Sequence, residues 1–267
     1  MFPLLPLESK AGAWAQPEGR GLSILTYRFY ETDQVFDDNG ARRDLPNGGE
    51  FTKHEANLYV EYGLPHRLTL IASLFLQDLH YSDDAGASDS NFGLSDPEVG
   101  LRWQFLEKEH WPKMALQFVT KVPGPYSLSD TPILGNDQFD FETVLFVGDN
   151  HKLLGRDGFW EIGFGPRARL GAPSDQLRWF ATIGWRLTER FEWIGQLEGT
   201  HGLGNDRPQV IGENVTATTD YTLLKATMQG VYHLNQNWSI SAGPVIHYYG
   251  EKTGAGGGAQ ASLWFRF

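Results

Sequence analysis

Residues Ala259–Phe267 read AQASLWFRF. Ala261, Leu263, Phe265 and Phe267 recur at every second position, with Gln260, Ser262, Trp264 and Arg266 between them. A period of two sends successive side chains to opposite faces of an extended strand. The fold turns on what each face meets.

The same alternation recurs along the chain. Residues 98–105, EVGLRWQF, set Val99, Leu101, Trp103 and Phe105 against Glu98, Gly100, Arg102 and Gln104. Residues 55–62 and 177–187 repeat the pattern. Twelve such segments are legible, near 21–32, 51–63, 67–81, 95–106, 113–123, 139–149, 159–170, 177–187, 190–201, 219–233, 237–249 and 258–267. Their lengths match the roughly 9–11 residues with which a tilted strand crosses a bilayer.

Connections after the even segments are short, such as LPHR, TER and LNQN. Those after the odd ones are mostly longer and more polar: 33–50, 82–94, 124–138, 202–218 and 250–257, with 171–176 as the short exception. Membrane barrels show this asymmetry, with short periplasmic turns and longer outer loops. The expected fold is all-β: one closed antiparallel transmembrane barrel of twelve strands over 21–267. Residues 1–20 are expected to form an N-terminal segment in the periplasm or the lumen.

Aromatic placement agrees. Tyr62, Trp160, Trp185, Trp193, Tyr232, Trp238, Phe265 and Phe267 lie on the apolar face at the short-turn end, and Phe139, Phe141, Trp179 and Tyr248 toward the other. Such girdles sit where a ring meets both hydrocarbon and water. A soluble β-sandwich also alternates, but rarely collects Trp and Tyr at so many strand ends on its Leu and Val side.

Composition narrows the classes. The 267 residues carry a formal charge of -11, 13% aromatics, 31 Gly and no Cys. Disulfide scaffolds and thiolate metal sites are excluded, and the acidic balance argues against nucleic acid as a partner. No apolar run is long enough for a membrane helix. The start lacks a basic n-region and a full apolar core, so it reads as a processed or truncated terminus rather than an intact signal peptide.

The polar face points into the lumen. It carries Arg28, Arg102, Lys121, Arg167, Arg169, Arg178, Arg186, Lys225 and Arg266 against Glu55, Glu61, Glu98, Asp140, Glu142, Glu161, Glu192 and Glu198. Strand neighbours predict Asp140 and Glu142 facing Arg167 and Arg169, with Arg178 and then Glu198 beyond. Arg186 should meet Glu192 across a turn, and Glu98 should pair with Lys121. Two readings follow: a structural network neutralising buried charge, or a constriction that selects solutes. Arg167, Arg169 and Arg178 form the best candidate for a place where a polar or anionic solute pauses. Large inward residues, Tyr59, Phe75, Phe146, Phe180 and Trp264, narrow a barrel already intermediate in width. Pro166 and Pro244 interrupt two strands, which implies a kink, or alternatively a gap in the wall.

The stretch GLSDPEVGLRWQF, 93–105, resembles the G-x-x-D-x-x-x-G-L strand of outer-membrane channels associated with meta-pathway phenol degradation. AGAWAQPEGRGLSILTYRF (11–29), FDDNGARRDL (36–45) and EANLYVEYGLPHRLTL (55–70) are similar to that group too. The resemblance implies a passive channel in the bacterial outer membrane, linked to uptake of aromatic or other hydrophobic compounds; the expected protein is a monomer in contact with outer-membrane lipid that passes small organic solutes. The resemblance brings no cofactor, metal or catalytic residue.

The rival reading is an outer-membrane lipid hydrolase on a twelve-stranded barrel. His80-Tyr81-Ser82 has the His-x-Ser spacing of outer-membrane phospholipase A, without that family's Asn-Gly setting. Catalysis needs His within hydrogen-bond reach of Ser and oriented by a third group. Loop 36–44, FDDNGARRD, resembles the start of a calcium loop but lacks its terminal Glu, and a solvated turn is expected there, as in HGLGND (201–206).

Overall fold

Period-two alternation becomes extended strand wherever both faces find a matching solvent. The structure, a computed structural model, describes residues 12–153, 155–207 and 219–267. Sixteen strands run in chain order: β1 Gly21–Thr32, β2 Gln34–Phe36, β3 Arg42–Asp44, β4 Glu50–Leu64, β5 Leu68–Ser82, β6 Ser88–Leu94, β7 Glu98–Leu106, β8 Lys113–Lys121, β9 Asp140–Leu153, β10 Arg156–Arg169, β11 Gln176–Arg186, β12 Phe191–Gly202, β13 Thr222–His233, β14 Trp238–Glu251, β15 Thr253–Gly254 and β16 Gly257–Arg266.

Antiparallel pairing passes from β5 through β4, β1, β16 and β14 back to β7 and β5, so the barrel closes; β6 pairs on one side only, with β5. β6 and β7 lie end to end against β5, β6 on Leu76–Ser82 and β7 on Leu68–Ser73. They occupy one wall position, and the closed barrel has twelve. Closure satisfies the backbone groups that hydrocarbon cannot. The remaining strands, β2, β3 and β15, form a small sheet above the long-loop end.

The faces sort as expected. Leu101 and Leu263 are 41% and 40% exposed on the outer surface, while the adjoining Arg102 is 2% exposed inside. Tyr62, Tyr232, Trp238 and Phe267 are exposed at the short-turn end. The Phe267 ring lies over Gly21, where a Cβ would collide with it.

Three expectations are revised. The 82–94 connection shrinks to a turn at 83–87, because SDSNFGL adds β6 to the wall despite its polarity. The predicted segment at 95–106 begins as strand only at Glu98, since Ser95-Asp96-Pro97 breaks the ladder between β6 and β7. The predicted start at 219 moves to Thr222.

Pro166 and Pro244 each follow a glycine. Toward β9, pairing stops at Phe164↔Leu145 and resumes in the same register at Arg167↔Glu142, while Pro166 stays opposite Leu177 of β11. Pro244 likewise keeps Ala259 of β16, and its ladder to β13 lacks the two pairs between Thr227↔Val245 and Gly230↔Ala242. Missing Cβ atoms at Gly165 and Gly243 let the Thr143 and Met228 carbonyls come close. Each proline therefore costs local ladder bonds without opening the wall.

Candidate functional site

Inward-facing charges are held in pairs. Arg167 Nε donates to Glu142 Oε2 at 2.9 Å and its Nη2 reaches Glu98 Oε1 at 3.3 Å. Arg178 Nη1 shares Glu142 Oε2 at 2.9 Å, and Arg169 Nε stands 3.6 Å from Asp140 Oδ2. The predicted cluster of Arg167, Arg169 and Arg178 is thus assembled, with its carboxylates interleaved.

One partner differs from expectation. Glu98 and Lys121 are opposite in the ladder, yet Lys121 Nζ turns to Asp96 at 2.8 Å and Asp140 at 3.1 Å. Two carboxylates outbid one, and Glu98 is left to Arg167. Glu198, beyond Arg178 on the next strand as expected, takes Lys225 Nζ at 2.8 Å. Arg186 does sit opposite Glu192, whose Oε2 lies 3.4 Å from His233 Nε2.

Arg102 and Glu61 form the most enclosed pair, 2.8 Å apart with side chains 3% and 1% exposed. Arg102 also donates to Gln117 Oε1 and to the Trp14 carbonyl. That carbonyl belongs to an N-terminal strap lying inside the barrel. Ala13 N–H donates to Glu161 Oε2 at 2.6 Å, Ala15 N–H to Gln104 Oε1 at 3.0 Å and Gln16 N–H to Thr69 Oγ1 at 2.9 Å. Each barrel acceptor replaces the strand partner that an isolated extended segment lacks. Residues 1–11 lie outside the described residues.

The lumen is not uniformly polar: Phe146, Phe180 and Trp264, expected inward, are joined there by further apolar side chains. Inward Leu22, Ile194, Val231 and Trp264 form one buried cluster. Ala13 and Trp14 of the strap pack with Val144, Phe146 and Phe159 in a second, with Phe180 against it. Tyr30, Phe51 and Leu79 enclose Leu134 in a third, at the long-loop end. The signal was present in stretches such as TVLFV (143–147), where both faces are apolar.

Leu134 belongs to loop 122–139, which folds inward. Asp96, in the break between β6 and β7, holds it. Its carboxylate accepts from Gly124 N–H at 3.0 Å, Asn136 N–H at 3.2 Å and the Tyr126 hydroxyl, besides Lys121. Burial and the nearby Asp96 carboxylate push the Tyr126 phenol well above its ordinary range.

The hydrolase candidate is not assembled. His80 Nε2 meets Asp78 Oδ1 at 3.0 Å on the outer surface of β5, and no bond joins His80 to Ser82 among the described residues. In loop 36–44, Asp37 caps its own turn by accepting from Asn39 and Ala41 N–H groups. No group of acidic or His residues suited to a metal occurs among the described residues.

Comparison with solved structures closes the question of architecture. An outer-membrane channel from Pseudomonas putida F1 is 14% identical, aligns over 97% of this chain and 100% of that one, and superposes with a TM-score of 0.74. The chain has the fold of an outer-membrane β-barrel. The barrel is also similar to the translocator domain of the autotransporter NalP from Neisseria meningitidis, with a TM-score of 0.51, 13% identity and coverage of 94% and 90%. The NanC porin gives 0.51, 8% identity and coverage of 91% and 98%. No family model matches the chain, and no curated protein matches it in sequence.

Proposed function

We propose that the chain is a monomeric bacterial outer-membrane channel for passive uptake of small organic solutes, with apolar and aromatic ones favoured. The carrying observation is the lumen: three apolar clusters set among charges already paired within the wall. A solute meeting such a wall gains from shedding apolar surface, and most inward charges among the described residues are already paired; Arg266, with only Ser239 at 3.4 Å, is an exception. The likeness to a protein described as an outer-membrane channel supports the same reading.

Arg102, Lys121, Asp140, Glu142, Arg167, Arg169, Arg178, Arg186, Glu192 and Glu198 then act by setting lumen width and keeping it from collapsing, rather than by attracting ions. The strap at residues 12–16 narrows the periplasmic half, where a vestibule of about 940 Å³ opens beside it. Loop 122–139 narrows the outer half. Such a pore admits molecules slowly and by size.

Uptake of radiolabelled toluene and benzyl alcohol by a porin-deficient bacterial host tests this. Expression of the chain should raise the initial rates above those of empty-vector cells. Equal rates would overturn the reading.

A further inference from the structure

Between the β1–β16 side of the wall and β11–β13 lies a lumen cavity of about 190 Å³. One side is apolar, formed by Leu22, Ile24, Ile194 and Trp264. The other carries a row across three strands: Thr182 opposite Gln196 and Gln196 opposite Thr227, with Gln229 one step along, opposite Ile194. These four side chains line the cavity and have no hydrogen-bond partner among the described residues.

Charged groups at the same cavity are satisfied within the wall. Arg28 is 3.0 Å from Glu55, Glu198 is 2.8 Å from Lys225 and Glu61 is 2.8 Å from Arg102. A charged solute entering here would lose hydration and gain no free counter-ion. A purely apolar solute would leave amides and hydroxyls unmet. A long chain would not fit, since a cavity of about 150 Å³ is filled by a single benzene ring.

We propose that this cavity binds an uncharged, one-ring organic molecule bearing a hydroxyl or similar hydrogen-bonding group. The ring lies on Ile24, Ile194 and Trp264, and the polar group reaches Gln196 or Gln229. This names the solute class for the uptake reading and rests on it for direction of travel, but binding is measured without transport.

The test is a ¹⁹F NMR titration of the full chain in detergent with three matched probes: 4-fluorobenzyl alcohol, 4-fluorotoluene and 4-fluorobenzoate, each against empty micelles. Only the alcohol should show saturable binding beyond micelle partitioning, displaced by unlabelled benzyl alcohol. Gln196→Leu with Gln229→Leu should weaken it about tenfold, as expected for losing hydrogen bonds to the bound group. The milder Thr182→Val serves if the double variant does not fold, with a several-fold loss expected. A crystal soaked with 4-bromobenzyl alcohol should place the bromine anomalous peak beside Ile194. Equal responses to all three probes, no saturable binding, or binding unchanged in a folded variant each overturn the proposal. Saturable alcohol binding without uptake would sustain the site and overturn the transport reading; uptake without saturable binding would do the reverse.

Discussion

Ala13 N–H donates to Glu161 Oε2 at 2.6 Å, joining residues 148 positions apart. That bond fixes the strap at the level of Val144, Phe146 and Phe159, where Ala13 and Trp14 are buried. Glu161→Ala deletes the acceptor while sparing the apolar contacts. Single-channel recordings in planar bilayers should then show conductance several-fold higher, or longer openings. Identical traces would mean that the strap does not limit the pore.

The Arg102–Glu61 pair is too enclosed for water to rescue either partner. Arg102→Met leaves a buried carboxylate uncompensated, and thermal unfolding in detergent should show a loss of about 3–5 kcal/mol. Adding Glu61→Leu should recover most of it. A double variant as unstable as the single one would contradict the assignment.

Leu101 is exposed on the lipid side, one residue from Arg102. Leu101→Arg should destabilise the barrel in lipid by about 2–4 kcal/mol if it lies near the bilayer midplane. Reversible urea unfolding into vesicles reads this directly. A neutral result would remove Leu101 from the hydrocarbon.

Asp96→Ala takes four bonds from loop 122–139 and Lys121, which keeps Asp140. Losing even one buried hydrogen bond costs about 1–3 kcal/mol, so limited proteolysis between 122 and 139 should speed up at least tenfold. Unchanged cleavage would show that the Leu134 contacts suffice to hold the loop.

The Asp83 carboxyl is held below the usual carboxylate range, chiefly by accepting the Ala87 N–H at 2.9 Å. A lowered value means that the turn gains support above the ordinary carboxylate pKa and loses it as pH falls through the depressed one. Amide exchange at Ala87, corrected for intrinsic rates, should therefore quicken only in the acid range below pH 4. Protection independent of pH would contradict this role.

The barrel was readable from sequence because a lipid-facing strand must alternate, and Leu101 beside Arg102 cannot share one solvent. Pairing of Asp140 and Glu142 with Arg167 and Arg169 followed from hairpin neighbours alone. Lys121 did not follow, because Asp96 sits in a break that periodicity does not reveal. β6 was missed for a related reason: Asp89 and Asn91 look like loop residues when the pairing strand is unknown. For the N-terminal segment the lumen was one of two expected places, but its contacts were hidden, since Ala13 and Gln16 find their acceptors through the closed tertiary fold. Gln196 and Thr227 acquire meaning only once three strands set them in a row.

Closure joins β1 to β16 through pairs such as Leu22↔Arg266, so the last seam unites opposite ends of the chain. Contacts of such sequence separation form slowly. Until that seam zips, greasy strand edges stay open to any passing neighbour. Any delay there leaves one copy's strand edges available to pair with another's.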